Sequence, residues 1–257
     1  MTFFMLLISA TSYGTEPMDC GIEATTPAIR KGEVKIAYAC DDFPVPEIKV
    51  EREVISFYDE KSGLILRSRV SKDDPAQKDV TIKFRPKDQS EAIELEKLLY
   101  ESIKEHPGFK CEADVSYGES GNKNVNSCSL TTDTEDLTNE HQAFAQMTTG
   151  QSVKKSLSDF EVVRIESQSW KVKHASFEKG LSIERWDIKN KQGQELCILE
   201  VSAKFEVPKE PKADLPERLK ASADAAMAKL LVAIPGKTPH PQQGNKTGRA
   251  LSFARAP

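Results

Sequence analysis

Two short runs constrain this chain more than any other stretch. Gly63-Leu64-Ile65-Leu66-Arg67-Ser68-Arg69-Val70 and Asp79-Val80-Thr81-Ile82-Lys83-Phe84-Arg85 both read as β-strands. Successive strand side chains point to opposite faces. The first run therefore sets Arg67 and Arg69 against Leu64, Leu66 and Val70. The second sets Thr81, Lys83 and Arg85 against Val80, Ile82 and Phe84. If the two cationic faces line one cavity, four positive charges converge and repel one another unless an anion neutralises them. Arg and Lys donors suit phosphate oxygens well.

No global charge does this work. The net charge of −4 gives no general attraction to nucleic acid or to a membrane surface, so an anion site has to come from local clustering. With 257 residues and 38% hydrophobic content, the chain has enough apolar material for a core. Residues 1–10 are apolar and uncharged, and Ser12-Tyr13-Gly14 offers small residues for cleavage after Gly14. That pattern reads as a secretory signal over residues 1–14, although the basic residues that usually precede such a run are missing. The alternative is an ordinary buried N-terminal strand. The run is too short to span a membrane, so no stable insertion is expected after cleavage. The expected location is secreted or periplasmic, where disulfides are permitted.

Five cysteines are present: Cys20, Cys40, Cys111, Cys128 and Cys197. Cys111 and Cys128 flank a Gly- and Asn-rich turn, and a hairpin there places them opposite each other. Cys20 with Cys40 is the second expected bridge. Cys197 falls on the apolar face of its strand and is expected to be a buried thiol. The spacings match no zinc motif.

Along the chain, residues 32–38 alternate as a first strand, with Glu33, Lys35 and Ala37 on one face, and strand character resumes over 50–58. A helix is expected after Pro86, opened by Asp88 and Glu91 in capping-box spacing, with Ala92, Leu95, Leu99 and Ile103 as its stripe. Residues 109–117 put Lys110, Glu112, Asp114 and Ser116 on one face, and a return strand lies near 127–130. Residues 133–158 read as helical. Strand-like runs follow at 160–167, 170–174 and 181–188. Residues 196–207 alternate with Ile198, Glu200, Ser202 and Lys204 on one face. A last helix is expected from Asp214, with Leu219, Ala223, Met227, Leu230 and Ile234 buried. The tail from Thr238 is basic and broken by Gly and Pro.

So many strands with one apolar and one charged face fit either an open sheet or a closed antiparallel barrel, because both give the same alternation. The order Phe57-Tyr58-Asp59, Leu66-Arg67-Ser68-Arg69 and Thr81-Ile82-Lys83-Phe84-Arg85 resembles the CYTH, or triphosphate-tunnel, family. The resemblance extends over roughly residues 32–253. It takes in Phe109 to Val115 as an acidic strand, Ser182-Ile183-Glu184-Arg185-Trp186 as a strand presenting an inward Arg, and Leu199 to Lys204 as a late acidic strand. Gln243-Gly244-Asn245-Lys246-Thr247-Gly248-Arg249-Ala250 is similar to the tail of exported members, where a Lys-Thr pair starts the final segment. The resemblance implies an α+β fold, an antiparallel β-barrel with helices packed outside and charged residues inside, as one domain over residues 15–257.

It also implies a site. Arg67, Arg69, Lys83, Arg85, Arg185 and Lys204 would bind phosphate. Glu33, Glu112, Asp114 and Glu200 would hold magnesium or manganese. The implied activity is metal-dependent hydrolysis of an inorganic or organic triphosphate. One departure bears on this. Catalytic members begin with a Glu-x-Glu-x-Lys strand, whereas Glu33-Val34-Lys35-Ile36-Ala37 keeps the first Glu and replaces the second with Lys. Glu47-Ile48-Lys49-Val50-Glu51 is an alternative match but lies too close to Phe57. Ser202 also stands where a second late acid would sit. The alternative function is therefore an exported, non-catalytic protein that binds polyphosphate or another polyanion. A third is a secreted structural protein with no small ligand, its charges paired on a solvated face and contributing about 0–1 kcal/mol each. His106, His141 and His174 lack partner motifs and read as structural. No nucleophile-elbow, zinc-protease, P-loop or dinucleotide-binding pattern is present.

Overall fold

The computed structural model describes residues 29–47, 49–58, 64–85, 89–118, 121–207, 214–240 and 245–256. The leader over 1–14, Cys20, Asp88 and the side chains of Glu91 and Ala92 lie outside the described residues. Among the described residues there are nine strands: β1 (Lys31–Tyr38), β2 (Glu51–Tyr58), β3 (Leu64–Ser71), β4 (Lys78–Phe84), β5 (Phe109–Ser116), β6 (Lys123–Thr132), β7 (Val162–His174), β8 (Phe177–Lys189) and β9 (Glu195–Glu206). The α-helices among the described residues are α1 (Gln89–Ile103), α2 (Asn139–Thr149), α3 (Leu215–Ala233) and α4 (Lys246–Arg255).

The strands close into a barrel in the order β1-β5-β6-β4-β3-β2-β7-β8-β9, with β9 returning to β1. Closure pairs every strand on both sides and leaves no open sheet edge. The barrel is antiparallel except at one seam, where β1 and β5 run parallel with Glu33 opposite Asp114. A parallel pair needs a long crossover. Here β2 to β4 and α1 supply it.

The alternation read from the sequence sorts the faces. Val34, Ile36, Leu66, Ile82, Val201 and Ala203 point outward and are almost fully buried beneath the helices. On α3, Leu219, Ala223, Met227 and Leu230 recur at spacings of three and four and are buried against this surface. Leu99 of α1 and Phe144 of α2 are likewise fully buried. A second apolar cluster lies on the lumen side. Ile55, Phe57, Ile165, Trp186, Ile188 and Ile198 pack with Ala250 of α4, and Leu251 and Phe253 lie against them. This plug fills the lumen on the β2–β7–β8–β9 side.

Several expectations change. The helix expected over 133–158 is confined to Asn139–Thr149, closed by Gly150 in the left-handed conformation at φ 68°. The runs 160–167 and 170–174 form one strand. The polar Gln168-Ser169 that separates them sits mid-strand, with Ser169 facing the cavity described below. The punctuated tail contains α4.

Cys111 and Cys128 are direct cross-strand partners on β5 and β6 and are bridged, as the hairpin reading expects. The other expected bridge, Cys20 to Cys40, is corrected: Cys40 is bonded to Cys197, which is therefore not a free thiol. The reason is register. Tyr38 lies opposite Leu199 in the β1–β9 pair, and continuing two residues each way brings Cys40 to Cys197. A sequence-local reading cannot see a neighbour 157 residues away.

The parallel seam demands a glycine. A Cβ on Gly32 would stand 2.2 Å from the Ala113 carbonyl oxygen and 2.5 Å from the Phe205 ring. Gly32→Ala is expected to lower stability by about 1–3 kcal/mol, the usual range for overpacking, read as a lower urea midpoint.

Candidate functional site

The lumen encloses a cavity of about 380 Å³. Each strand contributes through its inward-facing positions. Arg67 and Arg69 reach it from β3, Lys83 and Arg85 from the β4 end, Glu33 and Lys35 from β1, Asp114 from β5, and Glu200 from β9. α4 adds Lys246 at its first turn, anchored by the Asn245 side chain accepting a hydrogen bond from the Gly248 amide. Among the described residues, seven cationic and seven carboxylate side chains line the cavity. The lumen has no net formal charge, so its chemistry depends on how these groups are paired.

Asp114 is the hub of one half. Lys35 Nζ donates to its Oδ1 at 3.0 Å, and Lys83 Nζ and Ser127 Oγ donate to its Oδ2 at 2.8 and 3.3 Å. Arg85 Nη2 stands 3.7 Å from Oδ2. Burial alone would raise the Asp114 carboxyl, but Lys35, Lys83 and Arg85 outweigh it and hold the group well below the usual range. Lys35 also lies 3.2 Å from Glu33, which accepts a hydrogen bond from Ser202 Oγ at 2.7 Å. Burial, opposed by these carboxylates, leaves Lys35 well above its ordinary value. Lys83 behaves oppositely: burial, with Arg85 and Lys35 nearby, brings it down to about 8.

Lys246 is the hub of the other half. Its ammonium pairs with Glu184, lies 3.0 Å from Glu200 and sits 4.5 Å over the Trp186 ring centroid. Trp186 Nε1 donates to Glu184 Oε1 at 2.7 Å. Burial would raise Glu184, yet Lys246 and Trp186 bring it down to about 2. Arg67 and Arg69 line the cavity from β3. Arg69 makes a two-pronged contact with Asp79, at 3.0 Å and 2.7 Å to Oδ2. Arg67 donates to Thr81 Oγ1 at 3.3 Å. Among the described residues, Arg67 Nε and Arg85 Nε and Nη1 are buried with no hydrogen-bond partner.

Of the residues expected to bind phosphate, the structure thus brings together Arg67, Arg69, Lys83 and Arg85. Arg185 does not join them, which corrects the expected inward Arg. Its neighbours Glu184 and Trp186 face the cavity, so the strand's alternation turns Arg185 away, and it pairs with Asp187 at 3.0 Å. Lys204 is also absent from the lining. It is in phase with Glu200 and Ser202 but lies exposed near the end of β9, opposite Glu33. The four acids expected to hold a metal, Glu33, Glu112, Asp114 and Glu200, do all line the cavity. Each is held by a lysine, Glu112 by Lys110 at 2.8 Å. Among the described residues no three His, Cys, Asp or Glu side chains are arranged to hold a metal ion. The donor set therefore does not fit the expected magnesium or manganese, and no step is derived through one.

The sequence reading missed the parts played by Lys35, Glu184 and Lys246. Alternation carried a usable signal for Lys35 and Glu184. Lys246 is reached only through the fold of the tail. His141, expected to be structural, is buried with Nδ1 accepting from the Thr138 amide at 3.0 Å.

No protein-family model matches the chain, and no curated protein matches it. Two solved structures are similar to it. A conserved hypothetical protein from Pyrococcus furiosus shares 11% identity, with a TM-score of 0.36 over 83% of this chain and 96% of that one. A protein from Pyrococcus horikoshii shares 9% identity, with a TM-score of 0.38 over 88% of this chain and 99% of that one. Likenesses at this level carry no argument about function. The closed barrel stands on the structure's own strand pairing.

The Glu184 arrangement makes acid stability testable. Its folded value of about 2 lies below its ordinary 4.5, so its contribution is complete above 4.5 and is lost as pH falls toward 2. Urea midpoints are expected to drop across that window. The drop should be smaller in Glu184→Gln, which has no proton to take up there.

Proposed function

We propose that this protein binds a linear phosphoanion, of the triphosphate or polyphosphate type, in the barrel lumen without turning it over. The observation that carries this reading is the set of buried, unpartnered guanidinium donors of Arg67 and Arg85, beside Lys83. A buried donor left unsatisfied costs about 1–3 kcal/mol. Arg67 and Arg85 both line the cavity, and guanidinium forks match the oxygens of an entering phosphoanion geometrically. Adjacent strands space these donors along the cavity, which suits an extended anion with several oxygens rather than one compact ion.

The hydrolase reading requires a metal clamp or a carboxylate free to position water. Glu33, Glu112, Asp114, Glu184 and Glu200 are each engaged with a lysine, which favours binding over turnover. Export fits this reading as well. Two disulfides are formed, and no helix among the described residues is long and apolar enough to cross a membrane. An oxidising compartment outside the cytoplasm accommodates both bridges. Phe57 and Trp186 of the plug give the cavity an apolar wall.

Titration calorimetry with sodium tripolyphosphate tests the proposal. Binding is expected, weakening as salt is added because the contacts are between charges. Arg67→Ala/Arg85→Ala is expected to weaken it by about 10- to 100-fold, the effect of losing charge-assisted hydrogen bonds of about 1.5–3 kcal/mol. Phosphate release is expected to stay at background with or without manganese. Native protein that binds no tripolyphosphate refutes the reading, and metal-dependent release that the double variant abolishes restores the hydrolase.

A pH series adds a second check. Lys83 titrates at about 8 in the free protein, and a bound anion favours its charged form. Affinity is therefore expected to fall as pH rises through about 8, with net proton uptake on binding near that pH. Lys83→Met should flatten this dependence.

A further inference from the structure

A second concavity lies outside the lumen, where the start of β7, the β8–β9 turn and the last turn of α4 meet. It is a groove of about 550 Å³ and shares no lining residue with the lumen cavity. Its charge is one-sided. Arg164, Lys189, Lys191 and Arg255 line it against a single carboxylate, Glu161, on a chain whose net charge is −4.

Register puts these cations together. β7 and β8 pair Glu166 with Asp187, and continuing that register by two residues sets Arg164 beside Lys189. Like charges at opposed positions destabilise a sheet unless something of opposite sign lies between them. Lys189 has Glu195 at 2.9 Å, but both side chains are exposed and such a pair contributes little. Among the described residues, Arg164 and Lys191 have no carboxylate in ion-pair range. The backbone that carries Lys189 and Lys191 is fixed by the residue between them. Asn190 is buried, its Oδ1 accepts from the Gln192 and Gln194 amides at 3.0 and 2.9 Å, and its Nδ2 donates to Gln194 Oε1 at 2.7 Å. This part of the groove is therefore formed before any ligand arrives.

The wall beside these charges is apolar. Phe160, Val162 and Val163 line it, and Val162 is 41% exposed. A concavity of several hundred Å³ that combines apolar side chains with a few converging polar groups has the usual form of a small-ligand site. A neutral apolar ligand would leave the cations unneutralised, and an inorganic anion would leave the apolar wall in water. We propose that this groove binds a small amphipathic organic anion, its apolar body against Val162 and Val163 and its acidic head between Arg164, Lys189 and Lys191. The site is separate from the lumen and does not rest on the function proposed above.

The probe is 8-anilinonaphthalene-1-sulfonate, an aromatic body with one anionic head whose fluorescence rises in apolar surroundings. Titration into the folded native protein is expected to saturate at one dye per chain. Arg164→Glu/Lys191→Glu is expected to weaken binding by about 10-fold or more, the effect of losing charge-assisted hydrogen bonds, with the circular dichroism spectrum unchanged. N-phenyl-1-naphthylamine, which keeps the aromatic body and lacks the sulfonate, should bind at least as much more weakly. Arg67→Ala/Arg85→Ala, which alters only the lumen, should bind the dye as the native protein does. Native protein that shows no saturable dye binding overturns the inference. So does binding that the charge reversals leave unchanged, or binding that the lumen variant loses, because the dye then sits elsewhere. If the double reversal does not fold, Lys191→Glu alone, on an exposed turn, is read in its place. Tripolyphosphate calorimetry reports on the lumen separately, so the two readings fail independently.

Discussion

One buried carboxylate holds the charged half of this barrel together. Asp114 sits on β5, yet its oxygens take hydrogen bonds from Lys35 on β1, Lys83 on β4 and Ser127 on β6. An isolated charge in such a place is prohibitively costly, and a charge with a full set of donors is not. The strands that supply the donors must therefore be neighbours, and the order β1-β5-β6-β4 makes them so. The parallel β1–β5 seam belongs to the same requirement: it sets Glu33 directly opposite Asp114 and so gives Lys35 two carboxylates to bridge. Gly32 permits the seam, because no larger residue fits beneath the Ala113 carbonyl.

Much of this was legible in the sequence. Period-two alternation assigned faces correctly on β1, β3, β4, β5 and β9, because each has one apolar side facing the helices and one polar side facing the lumen. What remained hidden is equally physical. On β2, Ile55 and Phe57 are in phase with Glu51 and Glu53, so the lumen face changes from charged to apolar within one strand. On β8 the lumen face likewise changes from Glu184 to Trp186, so Arg185, expected inward from the family resemblance, points away. The Cys40–Cys197 bridge depends on a β1–β9 pairing that no local pattern announces. The tail reads as punctuation because the stability of α4 comes from packing Ala250, Leu251 and Phe253 onto the plug, not from its own periodicity.

The plug changes how the lumen works. A barrel filled with charge along its whole length has to hydrate or pair every group. Here apolar side chains occupy the β2–β7–β8–β9 side, and α4 covers them. The charges are confined to the remaining volume, where strands supply partners at short range. Lys246 marks the boundary: its ammonium pairs with Glu184 and Glu200, and it also lies over the Trp186 ring that belongs to the plug. The C-terminal helix thus contributes both to the floor of the cavity and to its charge pairing.

Equal numbers of cations and acids in the lumen alter what selectivity means. A strongly positive cavity attracts any anion through its field and does so weakly at high salt. A balanced cavity has little field to offer. Under the proposed function, recognition depends on which donors remain unspent after internal pairing, and those include guanidinium nitrogens of Arg67 and Arg85. Lysine would serve this purpose poorly, because a rotatable ammonium finds an internal carboxylate, as Lys35, Lys83 and Lys246 all do. The division of labour follows from side-chain shape: lysines neutralise acids of the barrel, Arg69 is spent on Asp79, and Arg67 and Arg85 retain unpaired guanidinium nitrogens.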